Sequence, residues 1–348
     1  MRSQNTIATP PGATIKEQLD SRGITQKEFA KRMDMSEKHI SKLINGEVSL
    51  SQDVALRLES VLGLPASFWN NLETRYKEKM ARVEYENSIE ADKEIAKKFP
   101  YNEIAKLGWV PSTGIALERV MNLRSFFSVA KLEILDNLLI PGIAFRRTEI
   151  KSSSNFALAV WAQKARIEAM NAEVDRVNLE RLASLVPMFR SMTRQSPELF
   201  CSKLIENLSQ CGIALVLLPH MQGSCLHGAS FLDGKKIVMG LTVRGRDADK
   251  FWFSFFHELG HILDGHIGNE VNTVESEGIA DMYAANTLIP IVYYRELIDT
   301  GDFSEKAILS FADRIDIDPG IVVGRLQKDN IILYNQCNRL KTKYQLLN

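Results

Sequence analysis

The residues best placed to do chemistry lie in the stretch Phe251-Trp-Phe-Ser-Phe-Phe-His257-Glu258-Leu-Gly-His261. On a helix, positions i and i+4 share a face, so His257 and His261 can grip one metal ion. Glu258 follows one residue on, where its carboxylate can reach a water on that metal. This is the layout of a zinc hydrolase. The apolar run at 251–256 predicts a helix buried in a core, with the polar trio where that helix opens into a cleft. The competing reading is a core helix whose histidines bond backbone carbonyls. With only six histidines in 348 residues, the spacing favours the metal.

A mononuclear catalytic site needs a third protein ligand and an open position. Downstream comes Glu275-Ser-Glu277-Gly-Ile279-Ala280-Asp281-Met-Tyr283-Ala284-Ala285-Asn-Thr-Leu-Ile-Pro290. Its spacing predicts a second helix, with Ala280, Ala284 and Ala285 allowing close approach to the first and Pro290 at its end. Glu277 and Asp281 are i and i+4 and point at the same neighbour, whereas Glu275 points elsewhere, so Glu277 is the favoured ligand. Alone, Asp281 also reads as a solvated helix carboxylate. The E-x-x-x-D spacing resembles the gluzincin arrangement of zinc peptidases. That resemblance implies Glu277 as third ligand and Asp281 as the carboxylate bonded to the outer nitrogen of a ligating histidine.

The segment from about 213 to 330 resembles the ImmA/IrrE family of metallopeptidases. The resemblance is carried by His257-Glu258-x-Gly260-His261 and by the 275–290 stretch, with departures at Ile279, Asp281 and Tyr283. It implies Zn²⁺, with Mn²⁺ as a second possibility, and helix-turn-helix repressors as peptide substrates. Upstream, 213–218 reads as a buried strand, and 228–231 and 236–241 as a hairpin around Leu232-Asp233-Gly234-Lys235. That hairpin is the candidate edge on which a peptide adds as a strand. Tyr283, His227 and His266 are candidates for an oxyanion donor.

A second module lies at the other end. Residues 14–23, 25–33, 36–44 and 51–62 read as four short helices. Thr25 and Ser36 serve as N-caps, Glu28 completes a capping box, and Asn45-Gly46 and Gly63 are stops. Helix, tight turn and helix, with Ala30 at the crossing, is a helix-turn-helix pattern. Thr25-Gln26-x-x-x-Ala30, Ile40-Ser41-x-Leu43-Ile44-Asn45-Gly46, Ala55-Leu-Arg57-Leu-Glu59 and Phe68-Trp69-Asn-Asn-Leu-Glu73 resemble the XRE family and its HigA antitoxins. The resemblance implies that Glu37, Lys38, His39, Ser41 and Lys42 face DNA, with Gln26 and Asn45 near phosphates.

The expected class is mainly α with a small β-sheet: an all-α helix-turn-helix domain followed by an α+β, zincin-like metallopeptidase domain. The expected layout is a flexible start at 1–13, the DNA-binding domain at 14–73, a helical linker at 74–100, a helical connector at 101–205, the peptidase at 206–330 and a tail at 331–348. Charge is balanced, 43 Lys and Arg against 43 Asp and Glu, and residues 1–80 carry 12 against 10. No strongly basic stripe supports tight non-specific DNA binding, so a homodimer on a palindromic operator is expected. Nothing resembles a signal peptide or membrane span, and four scattered cysteines read as reduced thiols of a cytoplasmic protein. Two functions compete. One is a DNA-binding regulator with a zinc endopeptidase that cuts itself or a related repressor. The other is a non-enzymatic antitoxin and autorepressor, with a HigB-like toxin as partner and a structural or sensory metal, closed by His266 or Cys225.

Overall fold

The computed structural model describes residues 2–3, 6–137, 152–221, 227–242, 247–265, 267 and 274–344. The chain divides into two units, one of Met1–Glu94 with Ile115–Met121, the other of Ile95–Gly114 with Asn122–Asn348. Among the described residues no helix is long and apolar enough to cross a membrane.

The first unit is helical: α1 (Pro11–Arg22), α2 (Gln26–Arg32), α3 (Glu37–Asn45), α4 (Gln52–Leu62) and the long α5 (Ala66–Ala96), whose last residues enter the second unit. Side-chain caps set three starts: Thr25, Ser36 and Ser51 accept from the backbone N–H groups of Glu28, His39 and Val54. The capping box at Thr25 is only half formed, because the Glu28 carboxylate is taken by Arg32. Ile15, Phe29, Ile40, Ala55, Leu58 and Trp69 form the core.

The first helix starts at Pro11, three residues before the expected position, because a proline preset to helical φ is favoured in a first turn. Two described residues ahead of it, expected in a flexible start, are anchored. Ser3 and Thr6 donate hydroxyl hydrogen bonds to Glu86, the latter at 3.1 Å. Helix α5 is more buried than its Lys- and Glu-rich sequence predicts. Tyr76, Met80 and Val83 make an i, i+4, i+7 stripe, and Val83 is fully buried.

The second unit contains α6 (Tyr101–Lys106), α7 (Ala116–Phe127, which begins in the first unit), α8 (Glu133–Asn137), α9 (Ser152–Ala169), α10 (Leu179–Ser191) and α11 (Pro197–Ser209). Strands β1 (Ile213–Leu218), β2 (Gly228–Asp233) and β3 (Lys236–Thr242) follow, then α12 (Ala248–Leu263), α13 (Val274–Leu288), α14 (Ile291–Thr300), α15 (Glu305–Arg314) and α16 (Pro319–Lys328). The sheet order is β1-β3-β2, with β3 parallel to β1 and antiparallel to β2. The β2–β3 turn uses Gly234 at φ +64°. Ile237, Met239 and Leu241 turn one sheet face into the core around α12. Gly240 turns the other face to α9, where a Cβ would lie 2.5 Å from Trp161.

Helix α12 is buried on nearly all sides. Trp252, Phe255 and Phe256 are fully covered, and burial of each is worth about 1.5–3 kcal/mol. Two segments expected outside this domain belong to its core. Leu182, Phe189, Phe200 and Leu204 of α10 and α11 pack into it, so a boundary at 206 would cut α11 in two. The segment past 331 docks as well. Trp252 Nε1 donates to the Tyr344 hydroxyl at 2.7 Å, and Lys341 pairs with buried Asp249 at 2.8 Å. Isolated side chains do this anchoring, and they leave no periodic pattern to read in advance.

Gly12 of α1 lies against the end of α3, where a Cβ would sit 2.2 Å from the Ile44 carbonyl oxygen. Backbone cannot yield as a side chain can. Gly12→Ala should therefore destabilise the first unit by about 1–3 kcal/mol. Hydrogen exchange of α1 and α3 amides in the intact chain should show lost protection, and unchanged protection would refute the packing.

Candidate metal centre and nucleic-acid interface

Close packing of α12 and α13 assembles the first site. At Gly260 a Cβ would lie 3.3 Å from the Ala280 Cα, and Ala280 and Ala284 are buried between the helices. This brings Glu277 across from His257 and His261. The two Nε2 atoms are 3.1 Å apart, and the Glu277 carboxylate oxygens lie 3.5 Å from His257 Nε2 and 3.6 Å from His261 Nε2. Ligand atoms at about 2.0–2.2 Å around a tetrahedral Zn²⁺ are about 3.3–3.6 Å from one another. The two histidine–carboxylate distances, one to each oxygen of Glu277, fall in that range and the Nε2–Nε2 separation is shorter, so the three side chains converge on a space for one ion, and two imidazoles with one carboxylate suit a borderline cation such as Zn²⁺.

His257 Nδ1 lies 2.9 Å from Asp281 Oδ1. A proton on Nδ1, donated to the carboxylate, leaves Nε2 facing the other donors. Burial works against charge on His257, but the Asp281 and Glu277 carboxylates more than reverse it and raise its pKa to about 9. The His257 bond in turn holds Asp281 below the ordinary carboxylate range.

Glu258 stands beside the donors without joining them. Burial pushes its pKa up to about 7, against the pull of His257 and Ser230. Its carboxylate lies against β2: a Cβ on Gly228 would be 3.0 Å from Glu258 Oε1. Ser230, two residues on, shares that strand face and contributes a hydrogen-bonding interaction to Glu258, although its buried hydroxyl makes no fully aligned bond. Neither Gly228 nor Ser230 was marked by sequence. The only signal was their alternation on an outer strand.

Glu275 is exposed on another face of α13. The Tyr283 hydroxyl is engaged with Thr287. The His227 side chain is exposed and its carbonyl accepts from Thr242 N–H at 2.9 Å. His266 and Cys225 lie outside the described residues.

The second site is on the first unit. Helix α3 buries Ile40, Leu43 and Ile44 and exposes Glu37, Lys38, Lys42 and Asn45, with His39 and Ser41 half-buried. Gln26 is exposed at the first residue of α2. The turn between the helices places Asp34 at φ +52°. Arg57 secures it by donating to the carbonyls of Met33 (3.0 Å) and Asp34 (3.2 Å), with Asp53 holding its Nε at 2.9 Å. The sequence marked Arg57 only as part of the resemblance and not for its role on the turn, since the two carbonyls it holds are 24 and 23 residues away.

Two helices crossing at Ala30, the second offering polar side chains from its outer face, define a helix-turn-helix protein. Residues 15–69 match the helix-turn-helix family model. An uncharacterized HTH-type transcriptional regulator, YddM of Escherichia coli (strain K12), is 32% identical over 66 residues, 19% of this chain and 70% of that protein. The chain belongs to the family of helix-turn-helix transcriptional regulators. A solved addiction module antidote protein of the HigA family from Coxiella burnetii shares 29% identity, covering 24% of this chain and 94% of its own, with a TM-score of 0.22.

Lys38 and Lys42 are exposed one turn apart on α3. Lys38→Ala with Lys42→Ala should weaken binding to a sequence selected from random DNA by about tenfold or more. It should also lower the slope of log K against log salt by roughly two. An unchanged affinity and slope would remove α3 from the DNA contact.

Proposed function

We propose that the chain is a DNA-binding regulator carrying a metal-dependent endopeptidase, with His257, His261 and Glu277 as ligands and Glu258 as general base. The observation that carries the reading is the donor set: two imidazole nitrogens and a carboxylate gathered within reach of one ion, with a buried carboxylate next to them. A divalent cation held there supplies Lewis acidity toward a peptide carbonyl and acidifies a bound water. Glu258 takes a proton from the attacking water and delivers it to the leaving amine. Burial raises the pKa of this carboxyl in the metal-free chain, and a carboxyl so raised can both accept and release a proton. Asp281 keeps His257 in the tautomer that presents Nε2. Strand β2 pairs with β3 as the outer strand of the described sheet and turns the face that carries Gly228 to Glu258, so an extended peptide added along its far side would run near that carboxylate.

The substrate is the chain itself or a related helix-turn-helix repressor, and cutting it relieves repression. The first unit reads an operator as a homodimer, and its resemblance to HigA antitoxins makes a small toxin a further partner.

Purified full-length protein with Zn²⁺ or Mn²⁺ should give fragments, by intact mass spectrometry, that vanish in Glu258→Gln. That variant should still bind one metal, since Glu258 is not a ligand. If no condition, including added operator DNA or toxin, yields Glu258-dependent cleavage, the peptidase reading fails and a regulator with a structural metal remains.

Metal uptake should also depend on pH with a defined sign. A metal needs neutral His257, which in the metal-free chain holds its proton up to about pH 9. Affinity should therefore rise by up to about tenfold per pH unit below 9 and level off above it. Competition with a chelator across pH 6–10 measures this, and a flat profile between 7 and 9 contradicts it.

A further inference from the structure

The Asp281 carboxylate has a second partner. While Oδ1 takes His257, Oδ2 lies 3.4 Å from the ammonium of Lys328, the last residue of α16. The same ammonium stands 4.2 Å from the centre of the Phe253 ring. Phe253 is one turn before His257 on α12, with the two ring centres 6.4 Å apart. A carboxylate and an aromatic face thus hold a full positive charge beside the ligand set, although the Lys328 side chain is 53% exposed.

We propose that Lys328 is a charge brake on the metal centre: a positioning residue that acts through Asp281 to lower the affinity for a divalent cation. This inference rests on the metal reading of His257, His261 and Glu277, and it holds whether the metal is catalytic or structural. Two effects share one sign. The ammonium draws Asp281 charge toward itself, leaving less to strengthen His257 as a donor. It also repels any cation placed among the ligands, an effect that distance and solvent reduce but do not cancel. A purely structural tie between α16 and α13 has the opposite consequence. Breaking it would loosen Asp281, misorient His257 and weaken the site.

The test is Zn²⁺ affinity of the full-length chain, measured by competition with a chromogenic chelator, across a charge series at position 328. Lys328→Arg should stay close to the parent. Lys328→Met should bind about three- to tenfold tighter, and Lys328→Glu tighter still. Asp281→Asn should bind about 10–100-fold weaker, and Lys328→Met should gain less on that background. The spread should narrow in high salt, because half-exposed charges are screened. Equal or weaker binding by the Met and Glu variants overturns the inference while the metal centre stands. If the parent chain takes up no Zn²⁺ at any pH tested, the centre and its brake fall together.

Discussion

The cluster of donor side chains in the second unit depends on how closely α13 lies against α12. Gly260 has no side chain where Ala280 and Tyr283 come to rest, and a Cβ there would meet them at 3.1–3.3 Å. That approach carries Glu277 to both histidines and lets Asp281 reach the outer nitrogen of His257 at 2.9 Å. A larger residue at the contact would separate the helices and leave four polar groups without a common centre. The tolerance is small because helix backbones yield little in a packed core.

Collecting those groups has an electrostatic cost. Glu258 and His261 are each 6% exposed and Glu277 is 9% exposed, and burying ionised carboxylates together is unfavourable unless an opposite charge balances them. In the metal-free chain that charge is a proton on His257, which explains its raised pKa. A divalent cation would replace the proton and serve all three ligands at once. The aromatic core under α12, with Trp252 in edge contact with Phe255, supplies the apolar burial that such a polar cluster lacks. Lys328 stands at the rim, where the balance can be shifted without touching a ligand.

Much of this was legible from residue types. The strands were visible at 213–218, 228–231 and 236–241 as apolar or alternating runs around an Asp-Gly turn, slightly shorter than the observed β2 and β3, and the caps Thr25 and Ser36 sit where short polar residues precede helices. The i, i+4 pairs marked the site because helical periodicity is a local property. Residues acting singly over long distances were not visible in this way. Arg57 on the turn, Trp161 against Gly240, Tyr344 under Trp252 and Lys328 beside Asp281 each follow from how separate elements pack. No period in the chain records such a pairing.

Residue types and spacing alone set out the chemistry on offer: two imidazoles and a carboxylate on one helix, three carboxylates on the next, and a polar outer face on a capped helix near the start. Spacing along a helix is enough to place such groups on one face. The packing of the helices and the sheet added which of the two histidines Asp281 bonds from behind, and which strand lies against Glu258. Those choices depend on distances of a few tenths of an ångström between elements far apart in the chain, and close packing, rather than local propensity, sets them.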